Sequence, residues 1–162
     1  MKIIFLDIDG VLNYTKWYVD DRNPGTINGN EGEIDPWCID RVLKICNECD
    51  ALVVISSDWR LSWYGTILRL SRMGLNESLI LDKTPELIWL KNINPKIDCS
   101  RGAEIQEWLD KHPECENYVI LDDRTDMLDS QLNNFVYINP MYGLTDDDME
   151  KAIKILNKKD EK

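Results

Sequence analysis

The sequence predicts an α/β domain with a three-layer, Rossmann-like build: a central parallel sheet carrying helices on both faces. Three observations lead there. Short runs that are apolar throughout, such as Ile3 to Leu6, Ala51 to Ile55 and Tyr118 to Leu121, are too short for helices and read as strands buried on both sides. Stretches with apolar residues at helical spacing alternate with these runs, the pattern of successive βαβ units. The chain has 162 residues, 43% hydrophobic and 30% charged, which is the size and composition of one globular domain.

Taken in order, Lys2 to Asp7 is the first strand, ended by Asp7, Asp9 and Gly10. Asn13 to Glu33 is polar and rich in Gly and Asn, with turn signals at Asn23-Pro24-Gly25 and Asn28-Gly29-Asn30; a flap or long loop over about 13–34 is expected, a hairpin being one form of it. Asp35-Pro36 supplies an N-cap and a first-turn proline for a helix to about Glu48, with Ile39, Val42, Leu43 and Cys46 at helical spacing. The second strand, Ala51 to Ile55, runs into Ser56-Ser57-Asp58. Leu61 to Met73 reads as a helix stopped by Gly74, Leu79 to Leu81 as a short strand, and Pro85 to Ser100 as an irregular stretch with room for a helical turn. Ser100 caps a helix whose inner face is Ile105, Trp108, Leu109 and His112. Tyr118 to Leu121 is a strand ending in Asp122-Asp123. A short helix near Asp126 to Leu132, a strand from Phe135 to Ile138 and a last helix capped by Thr145 complete the pattern. Residues 1–157 are expected to form a single domain, and 158–162 a charged tail that frays.

Nineteen Lys and Arg against 30 Asp and Glu give a formal charge of −11, which argues against sequence-independent or sequence-specific nucleic acid binding through a basic surface. No apolar run approaches the ~20 residues that cross a bilayer, and the N-terminus lacks the apolar core of a signal peptide, so a cytoplasmic protein without a membrane partner is expected. Five cysteines at irregular spacing suit reduced thiols. Cys46 and Cys49 form a C-x-x-C, but with His112 the sole histidine and no second such pair a zinc site lacks ligands.

Ligands of open parallel sheets bind beyond the carboxyl ends of the strands. That rule singles out Asp7, Asp9, Ser56 and Asp122. Each aspartate alone is an ordinary turn residue. If the first and fourth strands are neighbours, however, Asp7, Asp9, Asp122 and Asp123 converge, and carboxylates that close repel unless a cation joins them; Mg²⁺ is the natural one.

Asp7-Ile8-Asp9-Gly10-Val11-Leu12 after the first strand, Ser56 after the second, Arg101 opening a helix and Asp122-Asp123 after a later strand resemble, in order, the four motifs of the haloacid dehalogenase (HAD) superfamily of phosphatases. Ile55-Ser56-Ser57-Asp58-Trp59-Arg60, Arg101-Gly102 and Leu121-Asp122-Asp123-Arg124 further resemble the HAD domains of RNA repair proteins and the phosphatase half of polynucleotide kinase-phosphatases. The resemblance implies an Mg²⁺-dependent phosphomonoester hydrolase working through an aspartyl phosphate. Asp7 would be the nucleophile and Asp9 the general acid and base. Asp7, the backbone carbonyl of Asp9 and Asp122 would hold the metal, with Asp123 beside them as a further ligand or as the partner of a basic group. Gly10 would let the backbone turn beside the phosphate, Ser56 would donate to a phosphoryl oxygen, and Arg101 would stabilise the transition state. The family usually has Lys where Arg101 stands, and Lys96 is a rival; Ser57 is the rival of Ser56, which lies nearer the strand end. Trp59 and Arg60 join Gly10 and Ser57 as expected substrate contacts, Arg60 having Asp58 as an alternative partner.

The insertions at Asn13 to Ile34 and Lys83 to Ser100 are too short for an independent core, which implies no separate cap domain and an open site. Trp17, Trp59, Trp63 and Trp89 are each a candidate for stacking a base or for core packing. Three functional readings result: a phosphatase of nucleic acid terminal (3′) phosphates; a small-molecule or nucleotide phosphatase, which the acidic charge fits better; and a non-catalytic HAD-fold binding module, against which the intact Asp7, Asp9, Asp122 and Asp123 stand.

Overall fold

The computed structural model describes residues 1–25 and 33–158, so the Asn28-Gly29-Asn30 turn and most of the charged tail lie outside the described residues. Its sheet has five strands, β1 (Lys2–Leu6), β2 (Ala51–Ile55), β3 (Ile80–Lys83), β4 (Asn117–Asp122) and β5 (Phe135–Tyr137), all parallel in the order β3-β2-β1-β4-β5. The helices are α1 (Pro36–Cys49), α2 (Trp63–Arg72), α3 (Arg101–Lys111) and α4 (Asp146–Leu156). β1 is central, and its register sets Leu6 opposite both Ile55 and Leu121. The ladder runs one step further: the Ser56 N–H donates to the Leu6 carbonyl at 2.9 Å, and the Asp7 N–H to that of Leu121 at 3.0 Å. The chain therefore leaves three adjacent strands at one level, at Asp7, Ser56 and Asp122.

Period-two alternation divides the core. Ile4, Leu6, Val53 and Ile55 pack against α1, α2 and α4 through Ile39, Val42, Leu70 and Ala152, all buried. Ile3, Phe5, Val54 and Ile120 meet Ile105 and Trp108 of α3 on the opposite face, where Phe5 and Trp108 stack edge to face at 5.3 Å. Each such side chain, taken wholly out of water, contributes about 1.5–3 kcal/mol. The three-layer, Rossmann-like arrangement is therefore present. The capping residues act as expected: Asp35 accepts from the Trp37 N–H, Ser100 from the Ala103 N–H, and Thr145 forms a capping box with Asp148.

Several elements differ from the sequence reading. The expected helix from Leu61 is split into a 3-10 segment, Asp58–Ser62, capped by Ser57, followed by α2. The Thr66 hydroxyl donates to the Trp59 carbonyl at 2.8 Å and holds the tight turns that an α-helix would have unwound. The expected helix near 126–132 is a 3-10 segment, Asp129–Asn134. There the buried Gln131 donates to the Gly102 carbonyl at 2.8 Å and accepts from the Leu128 N–H at 3.1 Å, pinning the segment to the start of α3. β3 runs two residues beyond the expected Leu81. His112 terminates α3, half-buried, its ring stacked on Trp108 at 3.7 Å, while Leu109 is only half-buried.

In the flap, the described residues form a 3-10 turn at Trp17–Val19 and no hairpin. The irregular stretch after β3 holds one 3-10 segment, Ile88–Asn92. The cysteines are free thiols; Cys46 and Cys49 are buried in α1, and burial pushes Cys46 up to about 12, which leaves it an inert thiol. Among the described residues no helix is long and apolar enough to cross a membrane.

Candidate active site

Asp7, Asp122 and Asp123 stand at the carboxyl ends of β1 and β4, each offering an oxygen within 4.8 Å of the others. Asp7 and Asp122 are buried and Asp123 is half-buried. Burial raises the Asp7 carboxyl to about 6, opposed by the Arg101 guanidinium and a hydrogen bond from the Ser57 hydroxyl. Burial, reinforced by the neighbouring Asp7 charge, pushes Asp122 up to about 8, and Asp123 is raised too, chiefly by burial.

Arg101, the first residue of α3, is buried against this cluster. Its Nε donates to Asp122 Oδ2 at 3.1 Å, and its Nη2 lies 3.9 Å from Asp7 Oδ1. A cation at a helix N-terminus opposes the helix dipole; here the carboxylates at the ends of the two strands compensate it. Lys96, its rival in the sequence, is exposed.

Asp9 is exposed and its carboxylate lies outside the three-carboxylate group. It is held in place nonetheless: Asn13 Nδ2 donates to Oδ1 at 2.7 Å and the Trp59 indole Nε1 to Oδ2 at 3.0 Å. Trp59, expected to contact substrate, is thus half-buried and spends its polar atom on Asp9. Asn13 also accepts from the Gly10 N–H at 2.9 Å, a loop contact that the sequence reading missed. Gly10 has φ +79°, and a Cβ there would lie 2.4 Å from Asp123 Oδ2. Its first service is therefore room for Asp123. Gly10→Ala is expected to cost about 1–3 kcal/mol of stability through backbone strain and to weaken divalent-cation binding by displacing Asp123; urea unfolding and Mg²⁺ titration check the two effects separately.

Of the two serines, Ser57 carries the hydroxyl bonded to Asp7, whereas that of Ser56 is buried without a hydrogen-bond partner among the described residues. Sequence position alone favoured Ser56; the chain turns into the 3-10 segment immediately after it and brings Ser57 to Asp7.

Arg60 differs more sharply from its expected contact with phosphate. It is buried, its Nη2 donates to both carboxylate oxygens of Glu104 at 2.8 Å, and Asp58 is only at 4.0 Å. Glu104, which sequence reasoning did not single out, also lies 3.5 Å from Arg101 Nη1 and accepts from the Leu87 N–H at 3.3 Å. One turn along α3 from Arg101, it joins the chain after β2, the chain after β3 and the site arginine. Its spacing from Arg101, i to i+3, was the available signal, but nothing local in the sequence announces Arg60 as a partner.

Glu104→Gln is expected to lower stability by about 3–5 kcal/mol, the usual effect of leaving one buried charge unpaired, and turnover by about 10–100-fold, the usual effect of losing an outer-shell partner. Thermal unfolding and steady-state kinetics measure these. Stability loss with unchanged turnover would show that Arg101 holds its place without Glu104.

A parallel sheet with acidic groups at the ends of its central strands, backed by an arginine from the helix that precedes β4, defines a Rossmann-like domain of the HAD type. Comparison with known protein families matches residues 3–149 to the family described as the HAD domain in Swiss Army Knife RNA repair proteins, and the chain belongs to that family. Its superfamily is one of hydrolases and phosphatases that generally use Mg²⁺. No curated protein and no solved structure matches the chain.

The donor set fits such a metal. Three carboxylates with oxygens within 4.8 Å of one another are hard oxygen donors of the kind Mg²⁺ takes.

Proposed function

We propose that the protein is an Mg²⁺-dependent phosphomonoesterase acting on phosphorylated nucleic acid ends or nucleotides through an aspartyl phosphate. The observation that carries this reading is the Arg101 guanidinium shared between Asp7 and Asp122 inside the three-carboxylate cluster. Asp7 attacks phosphorus, the bond from phosphorus to the leaving oxygen breaks, and Asp9 gives that oxygen its proton. Asp9 then takes a proton from water, which attacks the phosphorus of the aspartyl phosphate and releases phosphate, freeing Asp7. Ser57 and Arg101 donate to the phosphoryl oxygens as charge develops. Asp7, Asp122 and Asp123, with the Asp9 carbonyl, would hold a divalent cation, which when bound would supply the positive charge that lets one anion approach another.

Phosphate release from p-nitrophenyl phosphate, mononucleotides and 3′-phosphorylated oligonucleotides, with Mg²⁺ or with EDTA, tests the proposal. Hydrolysis of at least one phosphomonoester that EDTA abolishes is expected; release from none would overturn it. Preference for mononucleotides over oligonucleotides would select the nucleotide reading.

A further inference from the structure

We infer that Asn13 and Trp59 are positioning residues that hold the Asp9 carboxyl in the orientation from which it protonates the leaving oxygen; the inference rests on the phosphatase reading and deepens it at the departure step. Asp9 is the exposed member of the acidic set. An exposed carboxylate ordinarily turns among its rotamers in water, and a general acid that turns spends much of its time out of reach of the reacting oxygen. Here each oxygen has its own donor, Asn13 Nδ2 at 2.7 Å from Oδ1 and the Trp59 indole Nε1 at 3.0 Å from Oδ2. Two bonds to the two oxygens fix both the direction of the side chain and the rotation of its carboxyl plane. They occupy two of its four lone-pair sites, which leaves room for the proton that Asp9 passes on.

Neither donor is free to turn away. Asn13 is buried, and its Oδ1 accepts from the Gly10 N–H at 2.9 Å, so its amide presents the NH₂ to Asp9 and cannot flip without losing both bonds. Trp59 comes from the 3-10 segment after β2, 50 residues along the chain from Asp9. Its N–H donates to Ser57 Oγ at 3.4 Å and its carbonyl accepts from the Thr66 hydroxyl at 2.8 Å. The ring packs against the core and lies 5.3 Å from the Arg69 guanidinium, which is paired with Glu33 at 3.1 Å. Packing explains the ring but not the aim of its nitrogen. On this exposed side of the molecule water would satisfy an indole N–H as well as a carboxylate does, so its alignment on Asp9 points to the chemistry.

Leaving groups separate the positioning of an acid from a purely structural role. A p-nitrophenolate departs without a proton, whereas a p-nitrobenzyl group, larger by one methylene, departs only as its alcohol; kcat/KM covers the steps up to that departure. Wild type, Trp59→Phe and Asn13→Asp are compared on the two phosphate esters in Mg²⁺ buffer. Trp59→Phe keeps an aromatic ring and removes the N–H, and Asn13→Asp keeps the acceptor for Gly10 and removes the donor. Each should lower kcat/KM for p-nitrobenzyl phosphate by about 10–100-fold, a part of what a well-placed acid contributes, and by at least about 10-fold more than for p-nitrophenyl phosphate. Equal proportional losses on the two esters, or none on the benzyl ester, would overturn the inference. So would wild type that hydrolyses p-nitrophenyl phosphate alone, since no acid would then be at work. The variants lie on different elements, so a folding failure in one leaves the other to decide. The Trp59 indole N–H resonance supplies a readout without turnover: in Asp9→Ala it should shift and exchange faster with water, and a resonance indifferent to Asp9 would overturn the inference. If wild type hydrolyses neither ester, the phosphatase reading fails by itself, and that resonance alone decides whether Asp9 is held.

Discussion

Asp7→Asn should reduce phosphate release by about 10³-fold or more, as expected when a nucleophile is removed from groups that act as a unit, and yet the metal-free variant should unfold at a higher temperature than wild type. The two effects have one source. Asp7 is buried beside Asp122 and Asp123, and its carboxyl is raised to about 6 because burial outweighs the help of Arg101 and Ser57. The proposed chemistry needs the charged carboxylate at that position, whereas burial of that charge without a cation costs the fold stability. Asn keeps the shape and removes the charge, a relief on the order of 1–3 kcal/mol above neutral pH, since one pKa unit corresponds to about 1.4 kcal/mol. Activity within tenfold of wild type would remove Asp7 from the chemistry. A lower unfolding temperature would mean that its hydrogen bonds and its pairing with Arg101 outweigh the cost of burying its charge.

Metal removal should abolish turnover and make stability fall as pH rises. Asp7 and Asp122 are raised to about 6 and about 8 from an ordinary value near 4, so the folded protein holds more protons than the unfolded chain across that interval. The contribution of these two groups to the stability of the metal-free protein is then greatest below the ordinary carboxyl value, declines through about pH 6 and levels off above about pH 8. Cation binding requires the deprotonated carboxylates and releases protons. Mg²⁺ should therefore raise the unfolding temperature much more at about pH 8 than at about pH 5.5, in the manner of any ligand that binds only the folded state. Thermal scans with EDTA and with Mg²⁺ at the two pH values measure this. An Mg²⁺ shift equal at both would contradict carboxylate ligation by this cluster.

The strands and the end-of-strand aspartates were legible because both signals are local. A fully apolar five-residue run such as Ala51 to Ile55 has few alternatives to a buried parallel strand, and acidic residues just beyond two such runs need only the pairing of β1 with β4 to meet. What was not legible depends on packing between distant segments. The stretch after Ile55 carries helical periodicity, yet the capping by Ser57 and the Thr66 bond to Trp59 impose a tighter turn. That turn brings Ser57 to Asp7 and leaves the Ser56 hydroxyl buried without a partner among the described residues. It also sends Arg60 into the interior toward Glu104, a partner 44 residues away that no spacing rule connects to it. Trp59 and Trp89 look alike in sequence; only the fold shows the first half-buried and bonded to Asp9, and the second exposed and bonded to Glu86 of its own segment.

The central claim is that Asp7 becomes phosphorylated. The direct measurement is a single turnover of substrate labelled in its phosphate, quenched in acid and digested, with the labelled peptide sequenced by mass spectrometry. Transient label on Asp7 that is absent from Asp7→Asn and decays as free phosphate appears is the predicted result. Phosphate release from active enzyme with no label on Asp7 at any time would contradict the account.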